Sequence, residues 1–196
     1  MIAVVVSGTG AVNSDVINVD LNKTKGDILT NFLKMEQEQR AMIQTMDHIQ
    51  TVQQLINRIA SMLFYRALNH DHSKLNEPER SIFAEYTHQL SGSTYGSDEY
   101  KQFLDAMAPA ISHHYSKNRH HPEHHPSGIN DMNLIDVIEM VCDWIAAAAR
   151  HTNGDPLKSL KINIKRFQIS EQLADIVENT IKLLNSPSAA ADKDQS

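Results

Sequence analysis

The stretch from Thr24 to Leu68, TKGDILTNFLKMEQEQRAMIQTMDHIQTVQQLINRIASMLFYRAL, contains no proline. Within it Ile49, Val52, Leu55, Ile56, Ile59, Met62 and Leu63 recur at spacings of three and four. That period lines one face of an α-helix and cannot line one face of a strand. A chain that gives so much of its length to this pattern must build its body from helices.

The patterns that follow agree. Asn76, Pro78 and Glu79 open a helix that EPERSIFAEYTHQL carries to about Leu90, and SGSTYGS then reads as a loop. Ser97 suits the N-cap of a helix through DEYKQFLDAMAPAISHHYSKN, which Pro109 should kink or interrupt. RHHPEHHPSGIND holds two prolines and reads as non-helical. MNLIDVIEMVCDWIAAAARH is a strongly apolar helix, stopped by Asn153 and Gly154. Ser170 caps a last amphipathic helix, EQLADIVENTIKLL.

The ends differ from the body. IAVVV at residues 2–6 and VINVD at 16–20, separated by SGTGAVNSD, predict a short β-hairpin or β-ribbon. Its unpaired edge suits either packing on the chain's own body or a homodimer. The expected organisation is thus a β extension over residues 1–23, an all-α domain over 24–185 and a disordered tail over 186–196.

Net charge is -6 with histidine neutral, which argues against extended nucleic acid or an anionic membrane as a partner. No apolar run approaches the ~18 to 20 residues that span a bilayer. The single cysteine, Cys142, has no internal disulfide partner, and the opening residues lack a basic leader, so a cytoplasmic protein is expected. Histidine is the outlier: six of the 11 (His113, His114, His120, His121, His124 and His125) fall within thirteen residues.

Three features bear chemistry. First, His70-Asp71 follows the apolar run ASMLFYRAL. Imidazole and carboxylate are common ligands of Zn, Mn, Fe, Co and Ni. Neighbours on a regular helix diverge by ~100°, so both can reach one ion only where the helix ends. Second, Asp143 stands in the otherwise apolar EMVCDWIAAAARH. A buried carboxylate needs a cation, either a metal or a basic neighbour such as Arg150. Third, ISHHYSKNRHHPEHH combines ligand-type histidines with Lys117 and Arg119, which suit phosphate or carboxylate. Successive side chains diverge, so only one or two of these histidines are expected as ligands.

The order of these residues resembles the HD superfamily of metal-dependent phosphohydrolases: His48, then His70-Asp71 with Lys74, then His113-His114, then Asp143. HDHSK is similar to that superfamily's HDxGK form. HDHSKLNEPE, HHYSKNRHHPEHH, NLIDVIEMVCDWIAAAARH and RFQISEQLADIVENT more closely resemble a small group of phage and bacterial HD-type proteins, over about residues 45–181. The resemblance implies an HD-like helical bundle holding one or two divalent ions (Mn, Fe, Zn, Co, Ni or Mg). The implied ligands come from His48, His70, Asp71, His113, His114, His121 and Asp143. His48 stands 22 positions before His70. One unbroken helix would part them by ~33 Å, so His48 can join the site only if the chain reverses between them.

The resemblance further implies hydrolysis of a small nucleotide phosphoester, a monoester or a diester such as a cyclic nucleotide signal. A metal-activated water would attack, with Asp71 and Lys74 in catalytic roles. Lys74, Lys117, Arg119 and Arg150 would hold phosphate charge. His72, two residues past His70, should point away. Two other classes fit the same residues: a di-iron oxygenase on the same scaffold, and a nucleotide- or partner-binding protein with a structural metal.

Overall fold

A computed structural model describes residues 21–92, 97–150 and 154–186. Both expected strands, at 2–6 and 16–20, and the end of the tail, from residue 187, lie outside the described residues. Among the described residues the chain is helical: α1 (Leu21–Asn69), α2 (Glu79–Gly92), α3 (Asp98–Lys117), α4 (Leu134–Ala149), α5 (Pro156–Phe167) and α6 (Glu171–Asn185), with three short 3-10 turns at His72–Leu75, Pro122–His124 and Gly128–Asp131. No described helix is long and apolar enough to cross a membrane.

The chain divides into two units, Met1–Asn57 and Arg58–Ser196. In the first, the described residues form one continuous stretch of α1, and from Lys25 to Asn57 every residue except Glu36 is exposed. The helix starts at Leu21, within the segment expected to be β extension, and runs unbroken to Asn69.

The second unit holds the core. Val137, Met140 and Val141 of α4, Leu160 of α5 and Val177 and Ile181 of α6 form one buried cluster, with Trp144, Ile145, Leu157, Ile164 and Leu173 packed around it. The Trp144 and Phe167 rings stack at 6.1 Å. Each helix of this trio has a local start signal. Asn133 Oδ1 accepts from the Ile135 and Asp136 amides while Asp136 Oδ2 accepts from the Asn133 amide, a complete capping box. Asp155 caps α5 through the Leu157 and Lys158 amides, with Pro156 next, and Ser170 caps α6. α5 was not expected, although Asp155-Pro156 carries its start signal.

α2 packs on α3, whose buried residues are Met107, Ala110 and His114. Pro109 sits inside α3 without ending it, so of the expected kink or interruption the second does not occur. A proline removes one helical hydrogen bond, and burial of the nearby Met107 and Ala110 offsets that loss.

The non-helical histidine segment is pinned by its own side chains. The His124 Nδ1–H donates to the Tyr115 carbonyl at 2.8 Å and the His125 Nε2–H to the Arg119 carbonyl at 2.9 Å. These two histidines hold the loop that carries His120 and His121. Beside them the fully buried Asp136 carboxylate receives Arg66 at 2.7 Å and Arg119 at 3.0 Å. Burial pushes that carboxyl up, but Arg119, the Asn133 amide and Arg66 outweigh it and hold it below the usual range. Arg66 also bonds Glu139, so the last turns of α1 are fastened to α4.

Candidate metal centre

The helix ends at Asn69, and the next residues turn because Asp71 takes a left-handed conformation, φ 57° and ψ 14°. Few residues other than glycine adopt it, and aspartate is one that does. The reversal brings the His-Asp doublet together as the helix end was expected to, with His70 Nε2 3.6 Å from Asp71 Oδ2. α4 delivers Asp143, whose Oδ1 lies 3.6 Å from the same His70 nitrogen. α3 supplies His114, and the loop after it supplies His120 and His121.

Two overlapping sets of donor atoms result, each mutually within 4.8 Å: Asp71, His114, His120 and His121, and His70, Asp71, His120 and Asp143. Asp71 and His120 belong to both. Asp71 faces the first set with Oδ1, 3.3 Å from His114 Nε2 and 3.5 Å from His120 Nε2, and the second with Oδ2. His114 Nε2 and His121 Nε2 are 2.8 Å apart. Two nitrogens each ~2.0 to 2.1 Å from one ion at a right angle would lie about 2.9 Å apart.

Proton positions sharpen the picture. Carboxylates only accept, so each imidazole nitrogen bonded to one carries a proton. The Glu139 Oε1 accepts from His70 Nδ1 at 2.9 Å and from His120 Nδ1 at 3.2 Å. The fully buried Glu79 accepts from His113 Nδ1 at 2.7 Å and from His114 Nδ1 at 2.8 Å. These carboxylates turn the Nε2 atoms of His70, His114 and His120 toward the Asp71 and Asp143 oxygens. Imidazole nitrogens and carboxylate oxygens so gathered repel unless positive charge lies among them, either a metal ion or the proton that His70 holds in the metal-free protein. Two buried polar side-chain atoms lack a hydrogen-bond partner among the described residues, Asp71 Oδ1 and His120 Nε2, and both lie in these sets. The donor set, four imidazoles and two carboxylates, fits a borderline divalent transition ion better than Ca or Mg.

Titration follows the same geometry. The Asp143 and Glu139 carboxylates beside His70 push its imidazole up to about 10. Burial, with His120 and His114 adjacent, pushes His121 down to about 3. Glu139 is held well below the carboxylate range: burial opposes this, but hydrogen bonds from His120, His70 and Arg66 prevail. Asp143 is likewise lowered against its burial, chiefly by His70.

A family comparison bears on the whole of this cluster, because the profile of a family of unknown function, DUF5662, matches residues 37–183. The chain belongs to the DUF5662 family. No curated protein and no solved structure matches it. In this DUF5662 chain every residue of the two donor sets falls inside the matched span.

Several expected residues stand elsewhere. His48 is in neither set, and the unbroken α1 removes the reversal it needed. His113 bonds Glu79 and is in neither set. Arg119 is committed to Asp136, and Lys117 is exposed at the end of α3. His72 is exposed, as expected. Three residues were missed. His120 was indistinguishable from its neighbours in a segment without helical period. Glu79 resembles an ordinary first-turn acid, and Glu139 a surface one, although it precedes Asp143 by four and so shares its helix face.

Beside the first donor set is a cavity of about 380 Å³. His114, His121, Lys74 and Arg150 form its polar wall, and Phe83, Met107, Ile111 and Tyr115 its apolar wall. Lys74 Nζ is bonded to Asp71 Oδ2 at 2.6 Å and stands 5.9 Å from the Phe83 ring.

Proposed function

We propose that this DUF5662 protein is a metal-dependent phosphohydrolase acting on a small phosphoester, with a nucleotide as the substrate class. One observation carries the reading. The cavity that bears Lys74 and Arg150 is walled by His114 and His121, members of the first donor set, so an anion held by the two cations would lie against the ligand cluster.

His70, Asp71, His114, His120, His121 and Asp143 would hold one or two divalent ions, with Asp71 and His120 shared. When bound, such ions supply Lewis acidity toward a phosphoryl oxygen and acidify a water near neutral pH. The chain's own residues do the rest. Arg150 and Lys74 receive the non-bridging phosphate oxygens and lower the charge that attack must approach. Lys74 also fixes the Asp71 carboxylate through its 2.6 Å bond, which joins substrate position to ligand position. Phe83 and Tyr115 offer flat faces against which a purine or pyrimidine can pack, and Met107 and Ile111 exclude water from that side.

The test is a hydrolysis screen of the metal-loaded protein over nucleoside mono-, di- and triphosphates and cyclic nucleotides, alongside measurement of metal content. Phosphate release from wild type and its loss in Asp71→Ala and Asp143→Ala support the reading. Metal-loaded wild type that hydrolyses no phosphoester removes it. Iron with oxygen-dependent turnover would instead select an oxygenase, and stabilisation by a nucleotide without turnover a binding protein.

A further inference from the structure

The long first helix is poorly explained by the site. From Lys25 to Asn57 it exposes almost every residue, and the exposed set includes large apolar side chains: Met42 is 65% exposed, Ile28 63%, Met35 58%, Ile56 58% and Ile49 48%. Isolated helices gain little stability in water without an apolar face to bury, so this face calls for a partner.

The spacing identifies the partner. Ile28, Met35, Met42, Ile49 and Ile56 stand seven residues apart. A straight α-helix drifts ~20° per seven residues, so a strict seven-residue repeat stays on one seam only when helices supercoil about each other. Such a seam is completed by a second helix of the same period, and among the described residues only α1 carries five such positions in a row. A second copy of the chain supplies it in register.

Charge and size agree with this occupant. Lys25–Asn57 holds three basic and four acidic residues, so like copies approach with little repulsion. The opposite face, with Gln44, Asp47, Gln50, Gln54 and Asn57, carries one basic residue between Lys25 and Asn57, Arg40, and that one is paired with Glu36, too little positive charge to hold an amphipathic helix on an anionic membrane. The five seam side chains with Phe32, Met46 and Val52 beside them, at roughly 100 Å² each, make a face of about 800 Å² per copy, the size of a standard stable interface.

We infer that the Ile28–Ile56 face of α1 docks against α1 of a second copy of this chain. The inference does not depend on the metal centre. Sedimentation equilibrium of the full chain at micromolar concentration is expected to give at least twice the single-chain mass of 22.0 kDa. Ile49→Asp with Ile56→Asp should return the mass to one chain, weakening association more than a hundredfold and lowering helicity. Metal content and the core's melting should stay intact in that variant. Gln50→Asp with Gln54→Asp, which charges the opposite face, should keep the assembled mass. A wild type of single-chain mass overturns the inference, whether its face is then covered by the chain's own residues or binds anionic vesicles. So does a seam variant that keeps the assembled mass.

Discussion

Asp71 Oδ1 and His120 Nε2 face each other at 3.5 Å, both buried and both without a hydrogen-bond partner among the described residues. A carboxylate oxygen and an imidazole nitrogen in that relation, neither hydrogen-bonded, are suited to share a cation. Asp71→Asn should therefore empty the centre. In wild type, a divalent ion at ~100 times its dissociation constant adds about 2.7 kcal/mol, which in a chain of this size raises Tm by roughly 5 to 10 °C. Thermal melts with and without metal should show that rise in wild type and lose most of it in Asp71→Asn and His120→Ala. An unchanged rise in both variants would remove this centre.

Glu79 uses both oxygens, one for His113 and one for His114. Glu79→Gln keeps the shape but leaves one acceptor and places an amide N–H against an imidazole N–H. One histidine then loses its orientation. Because His114 is the donor-set member, metal affinity should fall about 10- to 100-fold, as it does when such outer partners are lost. Titration calorimetry reads it. His113→Ala, which removes the partner outside the sets, should leave affinity within about threefold by the same reasoning.

The parts of the centre that the sequence made legible are those fixed by local rules. His70 and Asp71 converge because the helix stops at Asn69, and Asp143 stands out as a carboxylate in an apolar helix. His120, Glu79 and Glu139 depend on long-range packing: each gains its role from a residue at least 34 positions away or from a loop with no period to read. The helical body was legible for the same reason that Pro109 misled. Periodicity reports which face is buried, and burial overrides one breaker. His48 shows the converse, since a residue order can match a pattern that an unbroken helix does not let it complete.

His70 gives the centre a pH signature. Its imidazole is raised from the ordinary 6.5 to about 10 by Asp143 and Glu139, so the metal-free protein holds it protonated at neutral pH. A raised folded value means that this charge stabilises the metal-free fold fully below about 6.5, with the contribution lost as pH rises through about 10. Metal needs the neutral imidazole, so binding at pH 7 should release a proton from His70. Calorimetry in buffers of different ionisation enthalpy should find about one proton released, and affinity should rise roughly tenfold per pH unit between 7 and 9. Binding heats independent of buffer would contradict the assignment.

The buried Asp136 tests the frame that carries Glu139. It receives Arg66 and Arg119 and caps its own helix, so Asp136→Ala removes the Arg119 carboxylate, one of the two that hold Arg66, and the capping-box bond, leaving Arg66 on Glu139 alone. Breaking a fully buried pair on one side costs about 3 to 5 kcal/mol, and the partial exposure of Arg119 with the retained Arg66–Glu139 bond sets this loss toward the lower end. Denaturant unfolding should show a loss of that order, larger than for Glu77→Ala, whose exposed pair with Arg80 contributes little.

Lys74 and Arg150 differ in what they should do to turnover. Arg150 is exposed on the cavity wall, and no described partner competes for its guanidinium. Arg150→Ala should therefore act on substrate capture alone. A charge-assisted hydrogen bond contributes about 1.5 to 3 kcal/mol, so kcat/KM should drop roughly 10- to 100-fold, mostly through KM. Lys74 is tied to Asp71, so Lys74→Ala removes a phosphate contact and also frees a ligand oxygen. Its loss should appear in kcat as well as KM while metal content is retained. Lys117→Ala, exposed and away from the cavity wall, should leave both constants within about twofold, as surface substitutions do. If Arg150→Ala and Lys117→Ala behave alike, the anion is held somewhere other than the Lys74–Arg150 cavity.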